Sequence, residues 1–185
     1  MTSKNQNKKR LQVSLRVCLF VLTLLAVLIA FYTNRWNRMQ RAVEVLKTNN
    51  VHFECAENDT LPWFDQLPWL ENPPRIERVY LDSHHNLKEV VPVLARLGTV
   101  KEITCAIPLD QLRMVSQIKS IEFITMWYRP GLTAEHVQLF SSHKIRGFSI
   151  KGPYVDVPDD VLEALFLIPS LEKLGTGYGL SLIHI

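Results

Sequence analysis

The stretch Ile76-Glu77-Arg78-Val79-Tyr80-Leu81 carries the pattern that decides the fold, because four later stretches repeat its spacing of three apolar positions. The first residues of successive stretches lie 24, 21, 24 and 26 residues apart. The later stretches occupy residues 100–105, 121–126, 145–150 and 171–176. Internal repetition at such a period is typical of chains built from repeated strand and helix units.

Segments with helical spacing separate the five stretches, since their apolar residues recur every three or four positions. These segments cover residues 87–97, 109–118, 132–140 and 157–168. Each unit is therefore predicted to be a short strand followed by a helix, which gives an α/β fold. Polar residues alternate with the apolar ones in the strands, so one face of the sheet is expected to be open to solvent. The alternative, an ordinary α/β domain with a parallel sheet, predicts strands that are apolar on both faces.

These repeats resemble the leucine-rich repeat family over residues 75–179, and the resemblance implies a solenoid of strand–helix units. The family usually places Asn or Cys three residues after the third apolar position, and this chain departs from that pattern. It has His84, Pro108, Arg129 and Pro153 there. Together with its N-terminal segments, the chain also resembles small single-pass membrane-anchored repeat proteins of bacteria.

A transmembrane helix is predicted over residues 11–32, which contain one charged residue, Arg16, near their start. A helix of this length spans about 33 Å, enough for a hydrocarbon core of about 30 Å. A cleaved signal peptide is the alternative, but no small-x-small cleavage site follows. Five Lys or Arg residues, with Arg16 as the last, precede the uncharged apolar core and four follow it closely. The positive-inside rule therefore predicts that residues 1–10 form a basic cytoplasmic tail and that the repeats lie outside.

Two segments connect the predicted anchor to the repeats. Residues 33–50 have helical spacing and a basic surface, which predicts a juxtamembrane helix that stops at Asn49-Asn50. Residues 51–74 start with a short strand over 51–55 and continue into a stretch rich in Trp and Pro. We expect this second segment to cap the first edge of the repeats, with a peptide-docking surface as the alternative. At the other end, residues 180–185 resemble a translated sequencing adapter, which predicts a non-native tail.

Composition excludes several classes of function. From residue 51 onward the chain has 17 acidic and 12 basic residues, so nucleic acid is not an expected partner. Three cysteines cannot supply a disulfide framework. The sequence has no motif for nucleophilic catalysis, phosphate binding or zinc binding. We therefore predict no enzyme activity, no catalytic residue, no metal, no cofactor and no small-molecule substrate.

The histidines and paired aspartates have structural interpretations. His84 and His85 are adjacent in a polar turn, which favours solvation over half of a metal site. His136 and His143 are predicted to lie on the surface. Asp159-Asp160 is expected to start a helix, where carboxylates favour the positive N-terminal dipole.

The solvent-facing strand positions give the candidate site. Phe123 and Trp127 are large aromatic residues at outward positions of the third repeat strand, and Tyr80 lies two units away. Exposed aromatic residues dominate the energetics of many protein interfaces, so these three are the candidate protein-binding residues. The alternative is that Trp127 and Tyr128 fold over the strand end as a lid on the core.

Three hypotheses of function follow. The first is a membrane-anchored module that binds another protein through its open sheet face. The second is a structural envelope module whose anchor and juxtamembrane helix oligomerise. The third is a fragment of an enzyme whose catalytic part lies beyond residue 185.

Overall fold

A computed structural model describes residues 3–56, 75–152, 157–177 and 182–184 of the chain. The chain divides into two compact units, Met1–Arg38 and Met39–Ile185. The Trp- and Pro-rich part of the predicted cap, the turn at Pro153 and most of the predicted tail lie outside the described residues.

One long helix, α1 (Ser3–Thr48), joins the predicted transmembrane and juxtamembrane segments without a break. It ends where Asn50 takes a φ of 54°, in the left-handed region that stops a helix. By length and composition, its segment Leu15–Thr48 is able to cross a membrane, and its most apolar part is not buried in the protein. A signal sequence near an N-terminus meets the same criteria, so the segment is a membrane candidate and indicates no topology.

The last turns of α1 belong to the second unit and supply part of its core. Met39, Ala42 and Leu46 are buried there together with Val51, which follows the helix. Their spacing of three and four residues places them on one helix face.

A single sheet organises the second unit, with its strands side by side in the order in which they occur in the chain. Strands β2 to β6 run parallel to one another, whereas β1 and β7 pair antiparallel with β2 and β6 at the two edges. The strands are β1 (His52–Cys55), β2 (Ile76–Asp82), β3 (Glu102–Ala106), β4 (Phe123–Trp127), β5 (Gly147–Lys151), β6 (Lys173–Thr176) and β7 (Leu182–His184).

The α/β class is confirmed, but the prediction of a solenoid is wrong. A solenoid stacks like units, whereas here an antiparallel strand is added at each edge of the parallel strands, which makes one mixed sheet. The predicted register inside the parallel part is correct, because the central apolar residues of neighbouring strands are paired. The paired residues are Val79, Ile103, Ile124, Phe148 and Leu174.

A helix follows each of the strands β2 to β5, and its apolar residues pack into the same core as the strand residues. Ile124, in the middle strand, has only 1% of its surface exposed. The helices are α2 (Leu87–Leu97), α3 (Leu112–Val115, preceded by a 3₁₀ turn at Leu109–Gln111), α4 (Ala134–Gln138) and α5 (Asp159–Phe166). As predicted, Asp159 and Asp160 lie in the first turn of α5.

Candidate functional site

The face of the sheet opposite the core carries the outward strand side chains, and we call it the open face. Its side chains stand in rows, because the register pairs equivalent positions of neighbouring strands. One row is Arg78, Glu102, Phe123, Gly147 and Lys173, and the next is Tyr80, Thr104, Thr125, Ser149 and Gly175. A third row includes Asp82 with Ala106, and Trp127 with Lys151.

Arg78 is the centre of an ion-pair network at the β1 end of the open face. Its two terminal nitrogens lie 2.6 Å from Glu54 Oε2 and 2.8 Å from Glu102 Oε2. The Tyr80 hydroxyl donates to the other oxygen of Glu54 at 2.9 Å. The hydrogen bond to Glu102, with the nearby carboxylate charges, raises the pKa of Arg78 above its ordinary value. The network is partly exposed, so it fixes side-chain positions more than it stabilises the fold.

Tyr80 therefore belongs to this network and does not join the other two candidate aromatic residues. Its hydrogen bond to Glu54, followed by burial, raises the pKa of its phenol. Its ring also lies 5.0 Å from that of His52, centroid to centroid. Strand β3 separates Tyr80 from β4, which carries Phe123 and Trp127. The three predicted residues are thus all on the open face, but only two of them share a strand.

Phe123 lies across its neighbour Gly147 on β5. A Cβ atom built on Gly147 would be 2.5 Å from Cδ1 and 3.0 Å from Cε1 of the Phe123 ring. Gly147 is buried although it sits on the open face, and Phe123 is half-buried. The ring therefore covers Gly147, where the missing side chain of the glycine makes room for it.

Trp127 stands at the other end of β4, with 38% of its surface exposed. It is not part of the core, whereas the adjacent Tyr128 packs against the core and its backbone N–H donates to the Lys151 carbonyl at 2.7 Å. Tyr128 thus lies where the lid alternative places it, and Trp127 is the more exposed of the two residues. Lys151, paired with Trp127 on β5, is exposed as well.

Three hydroxyl groups lie in register between the Arg78 network and the β6 edge. Thr104, Thr125 and Ser149 are half-buried on adjacent strands, about 4.8 Å apart. Within the described residues their hydroxyls take part in no side-chain hydrogen bond. They are therefore available as donors and acceptors to water or a ligand.

A pocket of about 220 Å³ opens where the Arg78 network meets Phe123. The residues that line it are Glu54, Cys55, Glu77, Arg78, Lys101, Glu102 and Phe123. Three carboxylates and two cationic groups line it, and Arg75, outside the lining, lies 3.7 Å from Glu77, so the charges of this cluster balance. Burial raises the pKa of the Cys55 thiol, so the thiol is neutral at pH 7.

A line of alternating charges crosses the sheet at the amino-terminal ends of its parallel strands, beside this pocket. Each member follows the first apolar residue of a repeat, and backbone hydrogen bonds of 2.7–2.9 Å link successive members. The members are Glu77, Lys101, Glu122, Arg146 and Glu172. Arg146 holds Glu172 with two hydrogen bonds, and this contact lowers the pKa of Glu172. The sequence predicted neither the pocket nor this line of charges. The line could have been predicted, because acidic and basic residues alternate at the same position of successive repeats.

The histidines serve the structure. The Asp82 backbone N–H donates to Nδ1 of His85 at 2.8 Å inside the turn, and His84 is exposed. His136 accepts from the Thr133 backbone N–H at the start of α4. Across the described residues no group of three His, Cys, Asp or Glu side chains is placed to hold a metal ion.

The prediction that His143 lies on the surface is wrong, because it is 5% exposed. Its ring packs beside Phe140, 5.5 Å between centroids, and neither ring nitrogen has a hydrogen-bond partner in the part of the chain that the structure describes. Burial, with a smaller effect of the Lys119 charge, lowers the pKa of His143.

No known protein family, curated protein or solved structure matches the chain. The resemblance to leucine-rich repeats therefore stays a prediction.

Proposed function

We propose that this chain is a single-pass membrane protein whose α/β unit binds another protein through the open face of its sheet. The long apolar segment of α1 is the anchor, with the N-terminus in the cytoplasm and the α/β unit outside, as the distribution of basic residues predicts. Reporter fusions at both ends test this topology, and an external N-terminus would contradict it.

The exposure of Trp127 is the observation that carries the proposal. Among the described residues outside α1, the large hydrophobic side chains that are exposed are Trp127, Phe166 and Leu167. Only Trp127 belongs to the sheet, where Phe123 lies on the same face four residues earlier, about 13 Å away. An indole on an open surface is a typical anchor of a protein interface, since its burial by a partner contributes a large area.

The hydroxyl row and the lysines complete this surface. Thr125 stands between the two aromatic rings, and Ser149 lies beside it on β5. Lys151 and Lys173 are exposed at the β6 end, so the surface offers hydrogen-bond groups and positive charge around an aromatic centre. Interfaces combine such an aromatic core with a polar rim.

Site-specific photocrosslinking in cells tests the proposal on the full chain. A photoreactive phenylalanine analogue replaces Trp127, and a matched variant carries it at Gln138, an exposed position on helix α4. We expect a crosslinked product of discrete mass from position 127 and none from position 138. Equal products from both positions, or none from either, would contradict the proposal.

Once a partner is identified from that product, Trp127→Ala separates binding from stability. Truncation of an interface Trp typically costs 2 kcal/mol or more, which is about thirtyfold in affinity. The midpoint of thermal unfolding should stay within a few degrees of the unmodified chain, since Trp127 is outside the core. A large drop in the midpoint would instead make Trp127 a structural residue.

A further inference from the structure

We propose that the α/β unit rests on a lipid surface through one edge of its sheet, with Phe166 and Leu167 inserted among the lipid headgroups. This is the edge at which the parallel strands β2 to β6 begin, and we call it the amino edge. The presence of a bilayer nearby rests on the anchor in the proposed function, whereas the choice of this edge rests on features of the second unit alone.

Two neighbouring apolar side chains are exposed at the end of α5. Phe166 is the last residue of the helix and Leu167 follows it, with 53% and 77% of their surfaces exposed. The residues on either side, Leu165 and Ile168, are buried, so the core holds the backbone that presents the pair. Large apolar side chains placed together on a surface are typical of a contact with a membrane or with another protein.

The chain topology places this pair at the amino edge. Helix α5 starts beyond the carboxyl end of β5 and returns the chain to the start of β6, which is parallel to β5. Ser170, three residues after Leu167, donates a hydrogen bond to the Ile145 carbonyl at 2.8 Å. That bond joins the turn after α5 to the segment that enters β5, so both lie along the same edge.

Basic residues are exposed at the same edge, one at the end of each of the three earlier units. They are Arg96, Lys119 and Lys144. Within the described residues none of them forms an ion pair. The line of alternating charges beside them adds no net charge once Arg75 is counted, since it then has three basic and three acidic residues. Glu163, four residues before Leu167, still leaves an excess of two positive charges. An apolar pair flanked by basic residues is the combination that binds a lipid surface.

The chain enters the second unit near this edge. The side chain of Asn49, just after α1, lies 3.5 Å from that of Glu89 in the first turn of α2, so α1 ends where α2 begins. The Val51 backbone N–H donates to the Leu46 carbonyl at 2.8 Å, and the chain turns there into β1, which is antiparallel to β2. The last turns of α1 therefore run away from the amino edge, and Met39, at their beginning, lies nearest to it.

This entry point keeps a bilayer within reach of the amino edge. The predicted span ends at residue 32, and the seven residues from there to Met39 cover at most about 25 Å in any conformation. The opposite edge is farther away by the length of a strand, about 17 Å for five residues. The short connection and the positive charge favour lipid over a second protein as the occupant. Contact through an edge also leaves the open face accessible to a partner.

Fluorescence quenching tests the proposal on the full chain in vesicles of phosphatidylglycerol and phosphatidylcholine. An encoded fluorescent amino acid replaces Leu167, and a matched chain carries it at Ser83, an exposed residue in the turn after β2 at the opposite edge. Nitroxide groups on the lipid headgroups quench a fluorophore that lies among them. We expect quenching at position 167 and none at position 83, with less quenching at high salt because salt screens the basic residues.

Variants then locate the contact. Lys144→Gln should reduce the ratio of docked to undocked chain about fivefold, the usual effect of one basic residue near an anionic membrane. Phe166→Ser should reduce that ratio about tenfold, because a Phe side chain loses its burial in lipid, and should leave the thermal midpoint within a few degrees, since Phe166 is outside the core. Lys88→Gln changes an exposed lysine in the first turn of α2, at the opposite edge, and should leave docking unaltered.

Equal quenching at positions 167 and 83, no quenching at position 167, or a Lys144→Gln chain that docks as well as Lys88→Gln would each overturn the inference. A blue-shifted emission from position 167 without lipid quenching would assign the apolar pair to a protein contact, and it would reject the lipid contact as well.

Failure of the proposed function gives different results. A chain that sodium carbonate releases from the vesicles, although position 167 was quenched, would keep the lipid contact and reject the anchor. Quenching confined to position 167 without a specific crosslink from position 127 would keep the lipid contact and reject the docking surface on the open face.

Discussion

Replacing Gly147 by Ala should destabilise the α/β unit through a single clash, the one between the new Cβ and the ring of Phe123. The built Cβ lies 2.5 Å from Cδ1 of that ring, whereas carbon atoms pack at about 3.5–4.0 Å. The ring must therefore move by about 1 Å or more. Overpacking of this kind typically costs about 1–3 kcal/mol.

The backbone conformation of Gly147 gives no reason for alanine to destabilise the chain. Any destabilisation can therefore be assigned to the clash with Phe123. Gly147 is not among the glycines with positive φ, so alanine adopts its conformation without strain. Alanine is in fact favoured over glycine in a strand by about 0.5–1 kcal/mol. We therefore expect Gly147→Ala to destabilise the chain when Phe123 is present and to be neutral or stabilising in a Phe123→Ala background.

A double-mutant cycle measured by urea unfolding of the full chain in detergent checks this expectation. The coupling energy between positions 123 and 147 should be at least about 1 kcal/mol, within the usual range for residues in contact. In a thermal scan the destabilisation should lower the midpoint by about 2–4 °C per kcal/mol. A coupling energy near zero, with the same effect of Gly147→Ala in both backgrounds, would refute the packing of Phe123 over Gly147.

Three further outcomes follow from burial. Ile124→Asp should destabilise the chain by about 3 kcal/mol or more in urea unfolding, while Ile124→Val should cost about 1, and equal midpoints would contradict the strand register. The folded state keeps His143 neutral, so stability is complete above pH 6.5 and decreases as pH falls below about 6.5. Thermal scans at pH 7.5 and 5.5 should show this decrease, and His143→Leu should reduce it. Maleimide should label exposed Cys55 in the folded chain but reach Cys105, whose pKa burial raises to about 12, only after denaturation.

The parallel part of the sheet was predictable because the spacing of its apolar residues determines the register of the strands. Inward positions such as Val79 and Ile103 must be apolar in every unit, and a shift by one residue would turn them to solvent. The spacing of the repeats thus fixes which residues are neighbours across strands. At the first edge, residues 51–55 were predicted as a strand within a cap, and β1 pairs with β2 there. The antiparallel direction of β1 and β7 was not predictable, because neither strand carries the repeat spacing.

The sequence predicted which face of the sheet carries the candidate residues but not which side chains they contact. Alternation along a strand places Tyr80, Phe123 and Trp127 on the open face, and all three are there. The partners of these side chains depend on lateral contacts between strands that the spacing does not encode. Tyr80 is held by Glu54 of β1, an antiparallel strand that lies outside the repeat pattern. His143 was misplaced because a single polar residue next to inward positions gives no signal of burial.

The open face differs from the core in what constrains it. Every unit must fill its share of the core, so the inward positions are alike, whereas outward positions face water and tolerate any polar side chain. Yet position 123 is a Phe whose ring needs a glycine beside it, and that glycine costs about 0.5–1 kcal/mol in a strand. A polar residue at 123 and an alanine at 147 would leave the core unchanged and remove the cost of the glycine, with the loss of the area that the half-buried ring covers. The pairing of this ring with a neighbouring glycine is therefore specific to the open face, and it is consistent with the proposal that this face takes part in recognition.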